Sequence, residues 1–130
     1  THSTETLLWA RKDEKSKHIY NYSLMKEENG GKQMKDVWNF TAPKKSEKTE
    51  GKHPTQKPLV LLDRIIRAST NKGATILDPF LGSGTTSVAA VLTGRNSVGI
   101  EQDEEYCELA KKRINWAKQV LKEPTQEGLF

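Results

Sequence analysis

One cysteine, Cys107, stands in 130 residues, so no disulfide can form within the chain and its fold must rest on burial and hydrogen bonding. The position belongs to a helical pattern with Tyr106, Leu109 and Ala110, which makes it a packing residue in preference to a reactive thiol. No apolar run approaches the roughly 20 residues that a membrane span requires, and no charged, apolar and small-residue series opens the chain as a secretion signal would. A cytoplasmic protein with no membrane partner is expected. No internal repeat is seen in the sequence. Apolar residues are few: hydrophobic residues make up 34% against 29% charged, and most of the apolar ones follow Pro58.

That unevenness divides the chain at about residue 52. Residues 1–52 are polar and lysine-rich; residues 53–130 carry an α/β pattern up to about Lys122. Lys and Arg exceed Asp and Glu by 21 to 17, a net charge of +4. Such a surplus suits a polyanion partner through counterion release, although many small basic proteins bind no nucleic acid. In the first zone, Thr6 to Ala10 is a short apolar run suited to a buried strand, and the alternation from His18 to Leu24 suggests a second one. Asn29-Gly30-Gly31 reads as a turn, and Asp36 to Phe40 as an apolar patch that anchors its segment. Pro43 to Lys52 has almost nothing to bury, so it is a solvated linker or a loop that meets a phosphate backbone.

From Pro58 the spacing changes. Leu59, Leu61, Leu62, Ile65 and Ile66 recur at helical intervals, with Asn71-Lys72-Gly73 as a stop. A strand over Ala74 to Leu77 runs into Asp78-Pro79-Phe80-Leu81-Gly82-Ser83-Gly84, and Thr85 opens a helix closed by Gly94. Ser97 to Ile100 is the next strand, and a helix begins near Asp103, whose side chain can cap it. The order describes one βαβ unit flanked by helices, hence an α/β fold with a partial doubly wound parallel sheet. Two strands do not close such a sheet, so the remainder is expected from elsewhere.

Chemistry concentrates at the strand-to-helix junction. A Gly-x-Gly turn lets backbone approach a ligand, and the helix N-terminus behind it offers unpaired N–H groups to an anion. Glu101 stands at the carboxyl end of the next strand, where a carboxylate can accept hydrogen bonds from a ribose diol. Together they indicate a nucleoside-containing cofactor across the two strand ends. A dinucleotide fold would want a third glycine near Ser87, and the sequence has none there.

Three motifs in order, His53-Pro54-Thr55-Gln56-Lys57-Pro58, then Leu77 to Thr86, then Val98-Gly99-Ile100-Glu101 with Tyr106, carry a resemblance. The chain resembles the DNA amino-methyltransferases that modify adenine N6 or cytosine N4, and within them the permuted (beta-type) group in which the His-Pro-Thr-Gln-Lys-Pro segment precedes the cofactor loop. The resemblance implies a Rossmann-like methyltransferase fold and S-adenosylmethionine as cofactor. Phe80, Gly82 and Gly84 would hold the methionine end, Asp78 would face its amino group, and Thr85 and Thr86 its carboxylate. Glu101 would bind the ribose, while His53, Thr55 and Lys57 would close the other side. The expected substrate is double-stranded DNA with a flipped target base, adenine ahead of cytosine, in a bacterial restriction-modification system.

The sequence departs from the family at the catalytic step. The family positions the target amino nitrogen with Asp, Asn or Ser followed by Pro-Pro and an aromatic residue, and no such run lies between Thr1 and Phe130. No catalytic residue is therefore assigned. The chain, which opens on Thr1, is expected to be the C-terminal, cofactor-binding portion of a longer enzyme, inactive alone, or one piece of a split one, its partner being the N-terminal catalytic half. A homodimer is open, since relatives often dimerise. The resemblance places target recognition between the catalytic half and the His-Pro-Thr-Gln-Lys-Pro segment. Residues 1–52 would then be the end of the catalytic half and a linker, with part of that region in Arg11 to Lys52, where Lys12, Lys15 and Lys17, and further along Lys26, Lys32 and Lys35, could contact phosphate and Tyr20 or Tyr22 could stack. Two other readings stay open: a non-catalytic accessory subunit that binds cofactor or DNA, and a nicotinamide-dependent oxidoreductase fragment, which leaves His53 to Pro58 unexplained.

Overall fold

A computed structural model describes residues 4–48, 51 and 54–122. Its elements in chain order are α1 (Tyr22–Glu28), a 3-10 turn (Lys45–Lys48), α2 (Leu59–Ser69), β1 (Thr75–Asp78), α3 (Thr85–Leu92), β2 (Asn96–Gly99) and α4 (Glu104–Val120). The strands pair in parallel, Ile76 opposite Ser97 and Leu77 opposite Val98, with α3 as the crossover between them. The α/β expectation, a βαβ unit with a helix before and after, is met.

The core sits on α3. Val88, Ala89 and Ala90 are buried against Leu59 and Ile66 of α2 and Ala117 of α4, with Ile76 of β1 and Ile114 of α4 packed at the margin. Small side chains on α3 let α2 and α4 both approach it closely. Successive side chains of a strand point to opposite faces, so Leu77 and Val98 lie on the face away from Ile76. That face is open: Leu77 is 63% exposed and Val98 52%.

The helix ends are fixed by side chains from distant positions. Leu59 N–H at the start of α2 donates to Glu47 Oε2 at 2.8 Å, satisfying one of the first-turn amides that a helix leaves unpaired. At the other end, Asn21 Nδ2 donates to the carbonyls of Arg67 and Thr70 at 2.7 and 2.9 Å, and Asn21 N–H to that of Ala68 at 2.8 Å. For α4 the cap is the expected one, Asp103 Oδ1 accepting from Glu105 and Tyr106 N–H.

The first zone differs from its sequence reading in three places. Thr6 to Ala10 is not a strand, and Leu7, Leu8 and Trp9 are exposed; the ladder among the described residues is β1–β2, and no strand lies beside this run to pair with it. The alternation at His18 to Leu24 breaks at Asn21, whose backbone and side chain both bind the last turn of α2, and Tyr22 then starts a helix that buries Met25. Of the expected linker Pro43 to Lys52, residues 43–48 are more ordered than a solvated segment, because Glu47 caps α2 and its carbonyl accepts from Gln56 Nε2 at 2.9 Å, while Thr49, Glu50 and Lys52 lie outside the described residues. Asp36 to Phe40 does anchor its segment: Trp38 and Phe40 hold the Arg64 guanidinium at 5.2 and 4.7 Å from their ring centres.

Candidate functional site

β1 ends on Asp78, and the chain then crosses to the end of β2. Ile100 N–H donates to the Asp78 carbonyl at 2.9 Å, and Leu81 N–H to the Ile100 carbonyl at the same distance, so the loop over 79–84 lies across both carboxyl strand ends. Gly82 and Gly84 adopt φ of +56° and +81°, a region that side-chain-bearing residues rarely occupy. At Gly84 space is also limiting, for a Cβ there would stand 2.8 Å from Cβ of Ala110. This glycine thus serves the approach of α3 to α4 in addition to the turn.

Glu101 closes the loop from the other strand. Its Oε2 accepts from Gly82 N–H at 2.8 Å, while Oε1 accepts from Gln102 and Asp103 N–H at 2.9 and 3.0 Å. A carboxylate held by successive amides faces the loop in one orientation. Behind the loop, α3 begins at Thr85 and directs the positive end of its dipole toward the same strand ends. An acid, a glycine-rich turn and a helix N-terminus therefore converge, an arrangement that suits a ligand with a hydroxyl-rich part and an anionic part.

The other expected site residues fall in varied places. Asp78 is half-buried at the strand end and its Oδ1 accepts from Phe80 N–H at 3.0 Å; Phe80 is 89% exposed. Thr86 is half-buried in the first turn of α3, whereas Thr85 is buried. Thr55 is exposed, and Lys57 Nζ donates to both carboxylate oxygens of Glu5, at 2.9 and 3.0 Å. His53 lies outside the described residues. Lys12, Lys15 and Lys17 are exposed around a turn in which Asp13 Oδ1 accepts from Lys15 and Ser16 N–H.

Sequence reading missed Arg113. It is buried on α4, and its Nη1 donates to the Ser83 carbonyl at 2.6 Å, Ser83 Oγ at 2.8 Å and Thr85 Oγ1 at 3.0 Å. Burial pulls its pKa below the ordinary arginine value, and the Glu47 carboxylate opposes that shift. The signal was available: three positions after Ala110 and four before Ala117, a cation interrupts the apolar stripe of α4.

A family model described as DNA methylase matches residues 1–112. The type II methyltransferase M2.LlaDCHI of Lactococcus lactis subsp. cremoris is 64% identical over 116 residues, 88% of this chain and 43% of that protein. M2.DpnII of Streptococcus pneumoniae is 63% identical, with the same coverage of each, and M2.MboI of Moraxella bovis is 57% identical over 94% of this chain and 45% of its own length. The chain thus spans less than half the length of each of these relatives. Among solved structures, that of an M1.HpyAVI–SAM complex superposes with a TM-score of 0.61 at 40% identity, covering 78% of this chain and 46% of that one. The chain therefore belongs to the DNA amino-methyltransferase family.

Proposed function

We propose that this chain is the S-adenosylmethionine-binding portion of a DNA amino-methyltransferase. The observation that carries the reading is the 2.8 Å bond from Gly82 N–H to Glu101 Oε2, which joins the glycine loop and the acid of the next strand into one pocket wall. Structural similarity to a chain solved with SAM supports it, and so does the donor chemistry. Glu101 is a hydroxyl acceptor for the ribose; the backbone of Gly82 to Thr86 at the start of α3 receives the carboxylate; Asp78 meets the amino group. Phe80, exposed beside the strand ends, is the apolar surface for the rest of the molecule. His53, Thr55 and Lys57 are assigned to the opposite wall, where Lys57 would exchange Glu5 for the ligand carboxylate.

When bound, the cofactor supplies a methyl group activated on a sulfonium, which the target amino nitrogen takes by direct displacement. This chain's part is to hold and orient the donor, which lowers the entropic cost of the encounter. The groups that position the target amino nitrogen are assigned to a further portion of the enzyme, whose strands would also cover Leu77 and Val98. Residues 1–52 complete the link to that portion and contribute to the DNA surface through Lys12, Lys15 and Lys17; residues 53–130 hold the cofactor. Adenine N6 is taken as the acceptor ahead of cytosine N4, in a restriction-modification setting supported by the type II relatives.

The test is incorporation of labelled methyl groups from S-adenosylmethionine into mixed-sequence DNA, followed by base analysis. The complete enzyme should yield N6-methyladenine, and residues 1–130 alone should yield none. Turnover by the isolated chain would contradict this division of labour, and its absence from the complete enzyme would contradict the function.

A further inference from the structure

We infer that Arg113 is a positioning residue for the cofactor, holding residues 83–85 in the shape that receives the amino-acid end of S-adenosylmethionine. This rests on the cofactor reading above and adds to it a residue outside the loop. One guanidinium nitrogen binds three oxygens that bracket Gly84, at 2.6, 2.8 and 3.0 Å. Gly84 has no side chain with which to fix its own left-handed conformation, φ +81°. The Ser83–Gly84 peptide is thereby held at both ends: its carbonyl meets Arg113, and its N–H donates to the Leu81 carbonyl at 3.0 Å.

Packing does not explain a cation here. Arg113 is 5% exposed, between Ala110 and Ala117 on the face of α4 that meets α3, and an apolar side chain would fill that space without the desolvation cost of a buried charge. What the guanidinium adds is direction and field. It turns the Thr85 hydroxyl inward, away from solvent, so that the first-turn amides of α3 and Thr86 are left to meet the ligand carboxylate. Its positive charge lies behind that helix end and reinforces the attraction for an anion.

The consequence is selective for one end of the ligand. S-adenosylhomocysteine carries the amino-acid end, whereas 5′-methylthioadenosine has the same adenosine without it. In the complete enzyme, Arg113→Met should weaken S-adenosylhomocysteine about tenfold or more by calorimetry, the scale of a lost charged hydrogen bond, and should leave methylthioadenosine within about threefold of the unaltered protein. Arg113→Lys, which keeps a cation, should recover part of the loss. Equal weakening of both ligands would reduce Arg113 to a general structural residue, and unchanged S-adenosylhomocysteine affinity in folded Arg113→Met would also overturn the inference. Should Arg113→Met not fold, Thr85→Val and Arg113→Lys carry the same comparison between the two ligands, with the same results for and against. Failure of the unaltered enzyme to bind either ligand removes the cofactor reading itself; binding that Arg113 substitutions do not discriminate removes only this residue's role.

Discussion

Residues 59–120 and residues 4–48 are ordered by different forces. In the later region, α3 contributes Val88, Ala89 and Ala90 to a core closed by Leu59, Ile66 and Ala117, so burial does most of the holding. In the earlier one, Met25 is the buried apolar side chain among the described residues. What fixes that region is polar: Asn21 on the end of α2, Glu28 paired with Arg64 and Arg67, Arg64 between Trp38 and Phe40, and Glu47 on the start of α2. A lysine-rich segment is thus attached to the helix next to the core at a few points, while its charged surface stays in water.

The strongest way to break the core-held region is Gly84→Val. A β-branched residue at φ +81° is strained, and its Cβ would press on Ala110, so a loss of about 3 kcal/mol or more is expected in urea unfolding of the complete enzyme. An unchanged midpoint would show that α3 and α4 part without cost. Breaking the polar attachment should have a smaller and more local effect. Arg64→Ala removes the cation between the rings and one partner of Glu28, about 1–2 kcal/mol, read as faster amide exchange at residues 36–40 with α3 unchanged. Equal acceleration in α3 would merge the two regions into one cooperative unit. Glu47→Ala should cost about 1 kcal/mol as a lost helix cap, with fraying confined to the first turn of α2.

Least effect on stability is expected from replacing Lys12, Lys15 and Lys17 together by Ala, within about 0.5 kcal/mol for exposed positions. DNA binding by the complete enzyme should respond instead. The slope of log affinity against log salt should fall by roughly one per contributing lysine, with cofactor affinity unchanged. A constant slope would leave this turn as a solvated loop.

Legibility from sequence follows the same divide. Helix α4 was readable because Asp103, the acidic first turn and the apolar stripe agree, and the loop over 79–84 because glycine spacing and a following helix are local signals. The first zone was misread where its order depends on partners far along the chain. Nothing around Asn21 announces that its amide will bind carbonyls 46 and 49 positions away, and Glu47 resembles any solvated acid until Leu59 is placed beside it. At the site, Glu101 and Gly82 could be named from the motif, but their direct bond could not. The resemblance implies a ligand contact at Thr85, but its hydroxyl's bond to Arg113, a pairing 28 positions long, has no local signal.

The central claim is that the loop and Glu101 together form the cofactor site, and calorimetric titration of S-adenosylhomocysteine into the complete enzyme and its Glu101→Ala variant tests it most directly. If Glu101 binds the ribose as proposed, removing its carboxylate would take away that acceptor and release Gly82 N–H at once, so affinity should fall by about 1–3 kcal/mol with the fold intact. Equal affinities in two folded proteins would place the cofactor elsewhere.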